Sequence, residues 1–289
     1  MHWPRDLEGW PHREASTRIA GPVHRWHVQA SCSPDTEKRD ILLLHGAGAS
    51  THSWRHLFTL LSDRFRVKTL DLPGHGFTTL GARHRSGLTA MAEDVTSLCT
   101  AQEWRPATII GHSAGAAVAL EAARRGPLRG VPVIGLNAAL GAFPGLAGVL
   151  FPMLAQVLAA APLVPRLVAR QVGQARQIAR LIESTGSTLD PEGLELYRHL
   201  AADPDHVSGT LQMMAQWDLD PLLESLGEHP SDVTLFATEG DRSVPAITSV
   251  EAAKRLRQGQ AILHPELGHL AHEEDAERVL GWILPYLPD

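Results

Sequence analysis

Only two cysteines, Cys32 and Cys99, occur in 289 residues. Two thiols cannot build a disulfide framework; they suit a reducing compartment or two small buried positions. A basic excess is absent too. There are 26 Lys and Arg against 32 Asp and Glu, a net charge of −6 with the 16 histidines neutral. Such a chain lacks the cationic face that general nucleic-acid binding needs, and no nucleic-acid partner is expected. No G-x-x-x-x-G-K-[ST] segment is present to cradle a nucleotide phosphate, and no HExxH or comparable spacing points to a metal, so neither cofactor nor metal is expected. The first residues, MHWPRDLEGWPHREAS, hold no apolar run of the kind a secretory signal carries, and a cytoplasmic location is the expectation. Charge is missing altogether between Arg129 and Arg166, yet Pro132, Pro144, Pro152, Pro162 and Pro165 interrupt that stretch. It falls short of the ~20 continuous apolar residues of a spanning helix and reads as a greasy surface.

What is present is apolar sequence enough for a sizeable core, 44% of the chain. Short apolar runs alternate with helical stretches, the mark of a parallel sheet with crossover helices. Strands are predicted at Ile41–Leu44, Phe65–Leu72, Ala107–Gly111, Val131–Leu136, Val233–Thr238 and Ala261–Leu263. Helices are predicted at Ser53–Ser62, Thr89–Gln102, Ala114–Arg125, Ile247–Arg257 and His272–Leu284. Ser16–Ala20 and His24–Ala30 suggest an antiparallel hairpin on the sheet edge. From about Gly141 to Leu226 the pattern is helical with no strong strand. A structureless loop of that length would be implausible, and a helical cap over the carboxyl ends of the strands is the economical reading. The expected organisation is therefore a sheet domain in two parts, 1–140 and 227–289, interrupted by a cap at 141–226.

Gly111-His112-Ser113-Ala114-Gly115 follows a strand and opens a helix, the setting of a nucleophile elbow. Such a turn strains the serine backbone, lifts its hydroxyl clear of the sheet and sets it at a helix N-terminus that favours a developing oxyanion. A serine hydroxyl needs a base held by a third group. His269, just after the last strand, is the candidate base, with His272 its local competitor. Asp241, just after the preceding strand, is the candidate acid, with Glu239 second. Asn137 also follows a strand, but an amide cannot stabilise an imidazolium as a carboxylate does. The chain order Ser, Asp, His and the placement of all three at strand carboxyl ends agree with one another. The loop His45-Gly46-Ala47-Gly48-Ala49-Ser50 follows the first core strand. The N–H groups of Ala47 and Ala114 are assigned to an oxyanion hole. His45, His75 and His112 read as packing or hydrogen-bonding groups at the rim.

The segments HGAGAS, DLPGHG, GHSAG, GDRSVP and LGHLAHEE occur in the order found in the α/β-hydrolase family, which the chain resembles over residues 39–137 and 232–289. WPHREAS, HGAGASTHSW, STGSTLDPEGLELY and MMAQWDL resemble a narrower group, the magnesium-chelatase accessory hydrolases of bacteriochlorophyll biosynthesis. That resemblance extends to the N-terminal arm and the cap. It implies an α/β-hydrolase fold, an apolar ester-like substrate, and a role beside magnesium insertion into protoporphyrin, with chelatase subunits as partners. Serine in the elbow departs from the aspartate-nucleophile branches of the fold, the haloalkane dehalogenases and epoxide hydrolases.

The cap is the part expected to choose the substrate. Its first half is apolar, with Phe151 among many aliphatic side chains, and Arg166, Arg170, Arg176 and Arg180 follow at helical spacing. Against these four stands Glu183 alone, so residues 141–183 carry a net +3 on an acidic chain. One reading is a cap with its own apolar core and solvated arginines. The other is a greasy, basic lid for an amphiphilic acid such as a porphyrin, or for peripheral contact with an anionic membrane. Met213, Trp217 and Phe151 are the candidate substrate-binding side chains, and Met213 and Trp217 fit a core position equally well.

Overall fold

The computed structural model describes residues 1–32, 37–141 and 164–289. Eight strands make one sheet: β1 (Ser16–Ala20), β2 (Arg25–Ala30), β3 (Asp40–Leu44), β4 (Arg66–Leu70), β5 (Thr108–His112), β6 (Val133–Leu136), β7 (Val233–Thr238) and β8 (Gly259–His264). Their order across the sheet is β1-β2-β4-β3-β5-β6-β7-β8. From β4 to β8 every neighbouring pair is parallel, while β2 runs antiparallel to both β1 and β4. The edge hairpin expected at Ser16–Ala30 is therefore present, pairing Ser16 with Gln29 and Ala20 with Arg25.

Successive side chains of a strand leave on opposite faces, and both faces of this sheet are covered. Leu42 and Leu44 of β3 join Ile109, Val133 and Leu235 in one apolar cluster. Helices α2 (Leu88–Ala101) and α3 (Ala114–Ala122) pack into the same cluster. Ile41 and Leu43 join Val67, Ile110, Ile134 and Phe236 on the other face, beneath α1 (Arg55–Ser62). This double burial explains why the central strands β3, β5, β6 and β7 read as largely apolar runs, while β4, beside the antiparallel edge, alternates. All nine residues of α3 are buried. Six are Ala or Gly, and the small side chains let that helix lie close against the sheet.

Between β6 and β7 the described chain is helical: α4 (Val164–Val172), α5 (Ala175–Ser184), α6 (Pro191–Ala201), α7 (Pro204–Ala215) and α8 (Asp220–Glu224). Helices α6 and α7 start by one rule. Proline occupies the first helical position, and the preceding Asp190 or Asp203 carboxylate accepts from the backbone N–H three residues on, at 2.6 Å from Gly193 and 2.8 Å from His206. Ile178 and Ile182 of α5 bury against Leu189 and Leu270, which docks the insert onto the loop that follows β8.

After β7 come α9 (Ala246–Arg255), α10 (Ala271–Glu274) and α11 (Ala276–Ile283). The single closing helix expected over His272–Leu284 is thus two helices. Asp275 lies outside helical geometry at φ −149°, and its carboxylate accepts from the Arg278 N–H at 3.0 Å, so it caps a new helix instead of continuing the old one. The helix expected from Ser53 likewise begins as a 3-10 turn over Thr51–Trp54. Among the described residues no helix is long and apolar enough to cross a membrane.

His45, His52, His75, His112, His206 and His272 are all buried. Burial, ahead of neighbouring charges, pushes each below its ordinary value, His206 to about 4 and His272 to about 3. Each is neutral when folded and titrates near ~6.5 when unfolded. Between those values the unfolded chain binds the extra proton, so stability falls as the pH falls through ~6.5 toward the folded value. Glu273, which burial raises to about 7, acts in the opposite sense, but it is a single group. Urea unfolding between pH 7.5 and 4.5 should lose stability at more than the ~1.4 kcal/mol per pH unit of a single proton. A flat profile would show that these rings are hydrated in the folded chain.

Candidate active site

The strand order reverses around β3, with β4 on one side and β5 on the other. Loops leaving β3 and β5 therefore diverge, and the crevice between them lies at the carboxyl ends of the strands. Ser113 sits there at φ 52° and ψ −119°, a conformation L-residues rarely adopt. Its flanking glycines are required by space. A Cβ on Gly111 would come within 2.5 Å of the Ala116 Cα, and one on Gly115 within 2.2 Å of the Leu44 carbonyl oxygen. The G-x-S-x-G spacing is thus a packing condition: the elbow folds only where β3 can touch the start of α3.

The three sequence-predicted triad residues come together. His269 Nε2 is 3.0 Å from Ser113 Oγ, and His269 Nδ1 is 2.7 Å from Asp241 Oδ2. The other carboxylate oxygen of Asp241 accepts from the N–H groups of Ser243 and Val244 at 2.7 and 2.8 Å. The anion is therefore held on both oxygens, which fixes Nδ1–H of the imidazole toward it and leaves Nε2 to accept from serine. Glu239 and His272 make no contact of this kind in the triad. His272 packs behind it instead, 4.4 Å from the His112 ring, and His112 lies 4.7 Å from the His269 ring. Both neighbours are neutral at ordinary pH, so neither opposes a positive charge on His269.

Asn137 ends β6 at φ 46°. Its amide nitrogen donates to the carbonyls of Gly268 and His269, both at 3.0 Å, and its oxygen accepts from the Thr238 N–H at 2.9 Å. His112 Nε2–H donates to the same His269 carbonyl at 2.9 Å. The base is thus held through its own backbone. The sequence marks Asn137 only by its place after a strand, and a reading restricted to acids passes over an amide that serves as a brace.

The loop after β3 lies against the nucleophile. A Cβ on Gly46 would be 3.1 Å from the Ser113 Cβ. His45 Nε2 accepts from the Leu72 N–H at 2.8 Å, so its proton is on Nδ1, which donates to the Gly46 carbonyl at 2.7 Å. That carbonyl shares a peptide plane with the Ala47 N–H, and the bond orients both. His45, His75 and His112 are accordingly buried hydrogen-bonding groups. Ala114 is buried at the first position of α3, and Ala47 is exposed at the loop tip.

The insert reaches both triad loops. The Thr185 carbonyl accepts from the Arg242 N–H at 3.0 Å, and Ser187 Oγ accepts from the Leu270 N–H at 2.8 Å. A second link is ionic. Glu273 receives Arg55 Nη1 at 2.6 Å and the Tyr197 hydroxyl at 2.7 Å, joining α1, α6 and the segment just after the base. No local sequence pattern announces this cluster.

Of the three candidate substrate-binding residues, one is corrected. Met213 is 1% exposed within the larger apolar cluster, and Trp217 packs against that cluster. Helix α7 turns Met213 inward, so that residue is core, whereas Trp217 lies beyond the end of α7 and stays half-buried at the edge of the cluster. Phe151 lies outside the described residues.

Residues 41–282 match the model of the alpha/beta hydrolase family. The chain belongs to that family. It is 45% identical over 290 aligned positions to a protein named magnesium-chelatase 30 kDa subunit from Rhodobacter capsulatus, covering 98% of this chain and 99% of that one. Among solved structures it is similar in fold to a putative lipase from Acinetobacter baumannii, with TM-score 0.79, 18% identity, and coverage of 99% and 96%. A thermophilic esterase from Thermogutta terrifontis aligns with TM-score 0.70, 23% identity, and coverage of 94% and 97%.

Asn137→Asp should test the brace. The substitution sets an anion against two carbonyl oxygens and removes their donor, at a cost of about 2 kcal/mol or more. The urea midpoint should fall with an unchanged m-value; an unchanged midpoint would show that the carbonyls are satisfied without Asn137.

Proposed function

We propose that this chain is a serine hydrolase acting on an apolar ester-like substrate, in association with magnesium chelatase during the synthesis of magnesium-protoporphyrin and bacteriochlorophyll. The observation that carries the catalytic half is the unbroken series of hydrogen bonds from Asp241 through His269 to Ser113. The pathway half rests on the name borne by the R. capsulatus relative, and chelatase subunits are the partners it suggests. On this reading residues 141–226 form a substrate-selecting cap on a sheet domain of residues 1–140 and 227–289, working in the cytoplasm.

The chemistry follows from the geometry. Ser113 Oγ attacks the ester carbonyl while His269 Nε2 takes its proton. Asp241 keeps the imidazole in the tautomer that can accept and stabilises the imidazolium. The carbonyl oxygen becomes an oxyanion, and the N–H groups of Ala47 and Ala114 are its donors. His269 returns the proton to the leaving alcohol as the C–O bond breaks. Water, activated by the same histidine, then clears the acyl group from Ser113. Neither metal nor cofactor enters these steps.

Intact-mass analysis after fluorophosphonate treatment tests the reading. Wild type should gain one adduct, and Ser113→Ala and His269→Ala should gain none at the same exposure. A folded wild-type chain that stays unmodified removes the catalytic assignment.

One observation favours a second reading, a tetrapyrrole-binding or delivery factor. Arg166 and Arg170 of α4 and Arg176 and Arg180 of α5 are exposed, and none makes an ion pair among the described residues. Leu167 and Leu181 stand among them, 63% and 52% exposed. A flat apolar ring bearing two carboxylates complements that surface, as does an anionic membrane approached peripherally. Protoporphyrin IX absorbance should titrate saturably at micromolar pigment, and Arg170→Glu with Arg180→Glu should weaken binding about tenfold or more. Binding that never saturates removes this reading.

A further inference from the structure

Helix α7 of the cap carries His206, a buried imidazole with both nitrogens engaged outside the cap. Nδ1 accepts from the Gly76 N–H at 3.1 Å. The proton therefore sits on Nε2, which donates to the Gly48 carbonyl at 3.2 Å. One ring thus bridges the loop after β3 and the loop after β4.

The two glycines flank different parts of the site. Gly48 is the third residue of a tight turn, Gly46-Ala47-Gly48-Ala49, closed by the Ala49 N–H on the Gly46 carbonyl at 3.2 Å. Gly48 adopts φ +74°, as the third position of a type II turn demands. The turn has two free-standing ends. His45 holds the Gly46 carbonyl from the sheet side, and His206 holds the Gly48 carbonyl from the cap side. Ala47, the exposed residue between them, supplies the oxyanion donor.

The position of His206 is itself fixed by backbone contact. Three residues on, Gly209 faces Gly74 so closely that a Cβ there would come within 2.0 Å of the Gly74 carbonyl oxygen. Thr210 lies over the turn, its methyl 3.8 Å from where a Gly48 Cβ would stand. The His206 ring meets His75 edge-on at 5.3 Å, and His75 meets His45 at 5.3 Å. Two imidazoles that hold opposite ends of the turn are thereby packed into one column.

We propose that His206 is a positioning residue by which the seated cap holds the oxyanion turn in its working geometry, so that hydrolysis depends on cap docking through this one side chain. The inference rests on the hydrolase reading above. It assigns His206 no contact with substrate and no proton transfer. Burial depresses the basicity of the ring, so at neutral pH it keeps the donor–acceptor pair the bridge requires. Loss of the bridge would loosen a donor used in the transition state, while ground-state binding would be preserved.

The test is the time course of fluorophosphonate labelling of the full chain, resolved into kinact and KI. His206→Phe keeps the ring packing and removes both hydrogen bonds; kinact should fall about tenfold or more with KI unchanged. His206→Gln restores one acceptor and one donor and should recover to within about threefold of wild type. Gly209→Ala keeps the His206 side chain but lifts α7, and His206 with it, from Gly74, and it should lower kinact as His206→Phe does. Thermal melting of each variant separates this from unfolding. Wild-type kinact in a folded His206→Phe chain, or equal losses in His206→Phe and His206→Gln, would overturn the inference while leaving the hydrolase reading intact. A wild-type chain that does not label overturns both.

Discussion

The left-handed backbone of Ser113 is the constraint on which the rest of the site depends. A residue held at φ 52° relaxes unless its surroundings prevent it. Here Gly115 lies against the carbonyl ends of β3, Gly111 lies against α3, and the Ser113 N–H is bonded to the Leu136 carbonyl at 3.0 Å. The strain is carried by three strands and a helix at once. That rigidity lets one hydroxyl stand clear of the sheet at a position where loops from β3, β6, β7 and β8 all converge.

Histidine is the second recurring device. In an acidic chain with few aromatic residues, imidazole serves as a flat packing unit that also carries one donor and one acceptor. His45 orients a peptide, His112 braces the base through its carbonyl, and His206 joins two loops. Compared with those three, His269 alone bonds both a carboxylate and a serine hydroxyl. Its ring neighbours are kept neutral by burial, so the local field is shaped by Asp241 alone among nearby carboxylates bonded to it.

Much of this was legible in the sequence, for identifiable reasons. Ser113, Asp241 and His269 each end a strand-to-loop transition, and their chemistry is distinctive enough to be paired by role before any coordinates are known. The central parallel strands β3, β5, β6 and β7 announced themselves because double burial makes them largely apolar. The edge hairpin expected from Ser16–Ala20 and His24–Ala30 is present. What escaped depends on contacts between distant segments. Met213 presents the same pattern whether it lines a pocket or a core, and only the rotation of α7 decides. The brace at Asn137 is marked only by its place after a strand, and the trio Arg55, Tyr197 and Glu273 has no local signature at all. The break at Asp275 was readable in principle, since an Asp with a helical stretch on either side can start the second as well as interrupt the first.

The Arg55–Glu273 pair spans 218 residues of chain. Neither partner can be desolvated usefully until the sheet, the insert and the closing helices have brought them together, because a buried charge without its mate is costly. A contact of that sequence separation is costly in loop-closure entropy and is absent from any transition state in which the insert has not yet docked. Its stabilisation then acts mainly on the rate of unfolding, not on the rate of folding. The residue that adjoins the loop of the candidate base thus also ties α1 and the insert to it, and wherever that tie forms after them it lengthens the lifetime of the folded chain.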